Sequence, residues 1–308
     1  MLAAQHVARR FGERLAVEDL TFEVKRGEVF GLLGPNGAGK TTTLRMLGGL
    51  IAPSSGLVSI DGVAMTPRSG GALRTRIGFL TETPGLWEHL TAADNLAVYA
   101  RLFGVADADR AVERTLRLFD LWDRRSDRAL LLSKGMKQKL ALARALVHNP
   151  EIVLLDEPTA NLDAEAARAV RELLRALGAQ GRVVVVSSHN LDEIDRVANR
   201  VALIRRSLVA VGEPSELRRQ LFGRRVRIRF AGLSLPLDAL ASVAARAGAH
   251  DVRPEQHELS MALADPDRAT PQVVRALVEA GAEVRAVFDE DAALEDVYLR
   301  LLGEAPPS

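Results

Sequence analysis

The chain has 308 residues, 47% hydrophobic and 26% charged, with a net charge of +1, so no strong global field argues for nucleic acid or an anionic membrane surface. It contains no cysteine, which excludes a disulfide framework, an iron–sulfur cluster and a thiolate zinc site, and fits a reducing compartment. A chain of this length can form one large core, or a large domain and a smaller one.

The first residues, MLAAQHVARRFGERLA, lack the apolar stretch of a secretory signal. Apolar runs such as Ile152–Leu155 and Val183–Val186 fall far short of the roughly 20 residues of a spanning helix; a membrane part is expected from another polypeptide. Short β segments are expected at Thr21–Lys25 and Leu57–Ile60, the latter before an Asp61-Gly62 turn. Glu28–Leu33 reads as a buried strand ending in a Gly-rich turn, and Thr41–Leu50 as a helix. From about residue 84 to 149 the spacing turns helical, in Ala92–Phe103, Ala111–Leu121 and Lys137–Val147. Two β-branched runs follow, Ile152–Leu155 and Val183–Ser187, with an amphipathic helix, Ala164–Leu177, between them. That order predicts a parallel α/β sheet with a helical insert beside it.

After Leu203–Val211, the Gly212-Glu213-Pro214 break leads to a short linking helix, Glu216–Leu221, so the first domain is drawn as 1–221 and the second as 222–308. The second reads as strand Arg225–Phe230, helix Leu237–Ala247, strands Asp251–Arg253 and Glu258–Leu263, helix Pro271–Ala280, strand Glu283–Phe288 and closing helix Ala292–Leu302. This β-α-β-β-α-β order is ferredoxin-like. Residues 223–308 hold ten Arg and no Lys against fourteen Asp and Glu, a balance of −4 that leaves +5 on the rest. Two ordinary solvated surfaces account for that, or else the tail rests on a basic face. The last residues, Glu304 to Ser308, are expected to fray.

The chemistry begins at Gly34-Pro35-Asn36-Gly37-Ala38-Gly39-Lys40-Thr41, which fits the phosphate-loop pattern of Gly, four residues, then Gly-Lys-Ser/Thr. Glycines let the backbone N–H groups turn inward on phosphates, and the following helix, through Thr42, adds its positive end. Lys40 would reach the β- and γ-phosphates of ATP, and Thr41 would offer its hydroxyl to Mg²⁺. A Gly-rich turn that binds nothing is the plainer reading, but strand, loop and helix come in the required order. Ile152-Val153-Leu154-Leu155 then delivers Asp156 and Glu157 to the carboxyl edge of the sheet. Asp156 suits Mg²⁺, and Glu157 suits an attacking water; two acidic residues at a strand end could also simply cap the next segment.

Leu132-Ser133-Lys134-Gly135-Met136 resembles the signature motif of the ABC transporter ATPase family, commonly Leu-Ser-Gly-Gly-Gln. In that family the signature of one subunit closes over the γ-phosphate held by the other. Ser133 and Gly135 are kept; Lys134 and Met136 depart, and resemble the Ser-Lys-Gly-Met form of exporter subunits. The resemblance implies further roles in order along the chain. Phe11 would stack on adenine, with a core phenylalanine as the plainer alternative. Glu82 stands where the family has the Q-loop glutamine and offers an acidic oxygen to Mg²⁺ or the lytic water. Leu162-Asp163 resembles the D-loop, which bridges subunits. His189 resembles the switch histidine that bonds the γ-phosphate or Glu157. The likeness runs from Gln5 to about Val211 and continues at Phe79–Leu86, Leu90–Leu96 and Ala293–Tyr298, which resemble ABC-2 exporter subunits.

What the resemblance implies is an ATP-hydrolysing subunit at the cytoplasmic face of the membrane. Two copies, or a pseudo-dimer, would sandwich two ATP–Mg²⁺ head to tail, and a separate permease would dock near Glu82–Leu96, around Leu86 and Trp87. Two other classes compete. A soluble ABC-type ATPase acting on DNA or the ribosome usually has a long coiled coil, zinc modules or two cassettes, none of which is seen here; no nucleic acid is therefore expected. The other is a non-catalytic ATP-binding regulator; Glu157 and His189 are both present, so inactivity would need another cause. The tail carries no ligand motif and reads as a small accessory domain, with a dimer contact or a regulatory lid as alternatives.

Overall fold

The central strands are apolar enough to be buried on both faces, and that decides the architecture. A computed structural model describes residues 1–222, 224–290 and 294–301. They form two compact units, Met1–Gly212 and Glu213–Ser308.

In chain order the first unit runs β1 Leu2–Phe11, β2 Arg14–Val24, β3 Val29–Leu33, α1 Lys40–Leu47, β4 Ser55–Ile60, β5 Val63–Ala64, α2 Gly70–Arg74, β6 Ile77–Leu80, α3 Ala92–Leu102 and α4 Ala108–Leu118. It continues with α5 Lys134–Leu146, β7 Ile152–Asp156, α6 Ala164–Ala179, β8 Val183–Ser188, α7 Leu191–Asp195, β9 Arg200–Arg205 and β10 Ser207–Gly212. An antiparallel sheet has the order β2-β1-β4-β5, and a six-stranded sheet the order β10-β9-β3-β8-β7-β6. From β9 to β6 the pairs of the larger sheet are parallel; β10 returns antiparallel to β9. Every residue of β3, β7 and β8 is buried. One core runs between the sheets, with Leu2, Leu20 and Ile60 from one joining Phe30, Leu154 and Val185 from the other.

The helical insert is α3, α4 and α5, each started by a side chain that accepts an N–H of its own first turn: Thr91, Asp107 and Ser133. The stretch Leu203–Val211 proves to be a hairpin, turned by Arg206 at φ +67°.

The second unit runs α8 Pro214–Phe222, β11 Arg224–Leu233, α9 Leu237–Arg246, β12 His250–Glu255, β13 Glu258–Leu263, α10 Pro266–Glu279, β14 Ala282–Glu290 and α11 Leu294–Leu301. Its sheet, β12-β13-β11-β14, is antiparallel throughout, the ferredoxin-like order. Its core draws on Val226, Ile228, Leu240, Met261, Val273 and Leu277. Helix α10 starts five residues before the expected Pro271, with Pro266 in its first turn, where a missing N–H costs nothing. The unit boundary also falls earlier than the expected 221/222, because α8 packs against α11 within the second unit. Ala292, Ala293 and Leu302 of the expected closing helix, and the expected frayed end, lie outside the described residues.

Candidate active site

Four parallel strands end on one edge of the larger sheet, and each hands a loop to the same place. β3 leads into the Gly34 loop, β6 into Glu82, β7 into Glu157 and β8 into His189. A cavity of about 270 Å³ opens there, lined by Pro35, Asn36, Gly37, Gly39, Lys40, Thr41 and Thr42 of the loop and by Glu82, Asp156 and Glu157. Such an edge, with β3 flanked by strands on both sides, is where open α/β sheets take ligands.

Gly34 and Ala38 lie behind the loop rather than in its lining. A Cβ on Gly34 would come within 2.3 Å of the Ile204 carbonyl oxygen, so the loop passes too close to β9 for any side chain. Gly39, at φ +102°, would meet the Ala16 carbonyl at 2.8 Å. Ala38 uses its carbonyl to accept the Arg206 N–H at 2.9 Å.

Lys40 is buried, and its ammonium donates to the carbonyl of Gly34 at 2.7 Å. Burial lowers its pKa from the usual lysine value; the charges of Glu157, Asp156 and Glu82 offset part of that. An anion arriving in the cavity would favour the ammonium further.

Asp156 is 1% exposed. One carboxylate oxygen accepts from Ser187 Oγ; the other, Oδ2, is buried with no hydrogen-bond partner. Orphaned buried oxygens of this kind are expensive, and a hard cation would satisfy this one. Glu157 stands at φ +50°, a strained backbone for a non-glycine residue, costing on the order of 1 kcal/mol or more. Its Oε1 lies 3.0 Å from His189 Nδ1 and 3.9 Å from Lys40 Nζ, and Oε2 accepts from Ser188 Oγ at 3.4 Å. Glu157 is 13% exposed and His189 63%. With the proton on Nδ1, the ring donates to Glu157 and leaves Nε2 toward solvent.

Apart from Gly34 and Ala38, five expected site residues are not in the cavity wall: Phe11, Ser133, Gly135, Asp163 and His189, the last meeting it through Glu157. Phe11 is 47% exposed under the Arg9 guanidinium, 4.6 Å from its ring centroid; the core alternative for it is therefore excluded. Ser133 caps α5, accepting the Met136 N–H at 3.2 Å, and Asp163 caps α6, accepting the Ala166 N–H at 2.8 Å. A Cβ on Gly135 would meet nothing nearer than Leu162, at 3.8 Å. The signature and the Leu162-Asp163 segment are thus neighbours, and neither lines the phosphate-loop cavity.

Comparison with known proteins adds the relationship. The family described as ABC transporter matches residues 17–160. The Nod factor export ATP-binding protein I of Paraburkholderia xenovorans is 37% identical over 301 residues, spanning 96% of this chain and 95% of that protein. The chain belongs to the ABC transporter ATP-binding proteins. It is accordingly an ATPase. The Burkholderia orbicola protein of the same name is 41% identical over 69% of this chain and 71% of its own. A solved ATP-binding subunit of an ABC transporter superposes with a TM-score of 0.68 at 32% identity, covering 72% of this chain and 94% of that one. A dimeric cassette in a post-hydrolysis state, bound to ADP and Pi, does so at 0.64 and 26% identity, covering 69% and 98%.

In this ABC subunit the structure also brings up residues the sequence did not single out. Arg14, Leu15 and Ala16 of β2 and Arg206 of the β9–β10 turn line the cavity. No motif marks them, because packing between sheets, not local sequence, brings them there. The Arg206 turn is pinned at both ends, its N–H on Ala38 and its carbonyl accepting from Glu18 N–H at 2.7 Å.

Proposed function

We propose that this chain is the ATP-hydrolysing subunit of an ABC-2-type exporter, working as a head-to-tail dimer beneath a separate permease. The observation that carries the hydrolytic half is the Glu157 carboxylate, held between His189 and Lys40 at the mouth of the phosphate-loop cavity. In this reading the loop N–H groups and Lys40 hold the β- and γ-phosphates. Glu157 orients the attacking water and takes its proton as the γ-phosphoryl group passes to it, and His189 steadies the carboxylate and the developing charge. Phe11 stacks on the base. Asp156, Thr41 and Glu82 offer the oxygens for Mg²⁺; the partnerless Oδ2 of Asp156 fits a hard cation. Bound with ATP, that ion supplies positive charge against the charge developing on the phosphates.

Ser133, Gly135 and Asp163 serve the second copy's nucleotide. This subunit's own packing gives no reason for a glycine at 135, where a methyl group has room. Exporter character is supported by likeness to Nod factor export proteins along almost the whole chain, the second unit included. Among the described residues no helix is long and apolar enough to cross a membrane. A permease seat is supported by Trp87, 43% exposed, beside a cavity of about 330 Å³ lined by Thr81, Gly85, Tyr99 and Phe103. Held there, the subunit would lie on the cytoplasmic face of the membrane.

Replacement of Glu157 tests the assignment. Glu157→Gln should still bind MgATP and form a more persistent ATP-dependent dimer in sizing experiments, while turnover falls by about 100-fold or more, the scale of lost general-base catalysis. Undiminished turnover would remove Glu157 from the mechanism.

A further inference from the structure

Helix α5 begins at the signature and ends deep in the subunit, and along its length it grips both loops that flank the cavity. Gln138, buried, donates to the Pro158 carbonyl at 3.1 Å, behind Glu157. Arg144, two turns further on, donates to the carbonyls of Gly85 at 2.6 Å and Pro84 at 2.7 Å, behind Glu82. Arg144 is 6% exposed, and the partners of its guanidinium are two neutral carbonyls and the face of Tyr99, 4.9 Å from the ring centroid. Burial accordingly lowers its pKa. A buried charge held without a carboxylate is costly, and packing alone would be served better by methionine or leucine. The fork geometry is what those residues lack: two parallel N–H groups fix two successive carbonyls at once.

We propose that Arg144 is a positioning residue that clamps the 84–85 backbone to the signature helix, so that closure of Ser133–Gly135 on a second subunit's nucleotide also moves the Glu82 loop. This rests on the reading of the signature given above. The aromatic cluster beside the clamp would move with it: Trp87 lies 5.6 Å from Tyr99, Tyr99 6.2 Å from Phe103, and Phe103 4.0 Å from His148. Nucleotide state would then reach the exposed Trp87 surface through α5, not only through Glu82 itself.

Trp87 provides the readout, since the chain has just two tryptophans. In the full-length W122F protein, saturating MgATP should shift Trp87 emission. Adding Arg144→Met should abolish that shift and lower kcat by about tenfold or more, while KM and the MgATP affinity stay within about threefold, the pattern of an interaction used after binding. Arg144→Lys, keeping charge but not the fork, should recover less than about half of the shift, and it remains informative should the methionine variant fail to fold. The proposal is overturned if Arg144→Met keeps both turnover and the Trp87 response, or if nucleotide affinity falls in step with kcat, which would mark a merely structural residue. Failure of the underlying reading looks different: Ser133→Ala or Gly135→Ala would leave turnover and the Trp87 shift intact in the W122F protein itself.

Discussion

Gly34 and Gly37 belong to one phosphate loop but answer to different constraints. At Gly34 a methyl group would collide with the Ile204 carbonyl, whereas at Gly37 it would meet nothing within 4 Å. Gly34→Ala should therefore lower unfolding stability by about 1–3 kcal/mol, the usual cost of overpacking. Gly37→Ala, strained only by its φ of +82°, should lose about 1 kcal/mol and show its damage mainly in ATP affinity. Chemical denaturation and nucleotide titration of the pair check this; equal destabilisation would contradict the close approach to β9. Residues with a local signature are legible in the sequence alone: Lys40 and Asp156 follow from loop spacing and from an apolar strand ending in acid. The bond from His189 to Glu157 is expected only through family likeness. Arg14, Arg206 and Arg144 cannot be read so. An arginine in a hairpin or on a helix looks like ordinary surface charge until packing shows what surrounds it.

Element α5 shows how one helix can carry a structural and a functional demand at adjacent positions. Ser133 is a poor probe of function, because removing its cap costs about 1 kcal/mol of stability whatever else the hydroxyl does. Gly135 separates the two demands. It lies in the first turn of α5 with open space around its α-carbon, and alanine there should stabilise the isolated subunit by roughly 0.5–1 kcal/mol through helix propensity. If the signature closes on a second copy's nucleotide, the same Gly135→Ala change should cut ATPase activity at least about tenfold by obstructing that approach. A melting curve and a turnover assay on one preparation decide it; a stabilised subunit with normal turnover would defeat the trans role. The helices themselves follow from apolar spacing within a few residues. The ends that differ have physical causes. α4 starts three residues earlier than expected because Asp107 caps it; α10 starts at Pro266, whose missing N–H costs nothing in a first turn, and carries Pro271 as an interior residue at the loss of one helical N–H bond.

At the scale of the molecule, the question is where one folding unit stops. One core cluster of the first unit draws on residues between Leu2 and Ile204, and one of the second on residues between Val226 and Ala282. The sequence places the boundary after Leu221 because Glu216–Leu221 reads as a linker. The contacts instead assign that helix, α8, to the second unit, where it packs on α11, and a helix's partner is a tertiary fact that its own residues do not disclose. A chain ending at Gly212 should then unfold in a single cooperative transition and bind MgATP within about threefold of the full protein, since every cavity-lining residue lies before the cut. A chain ending at Leu221 should be no more stable, because it retains α8 without α11 and so exposes Leu217, otherwise buried. Calorimetry and nucleotide titration on both truncations test the boundary. If the longer chain alone folds cooperatively, α8 belongs with the ATPase unit, and the division at Gly212 is wrong.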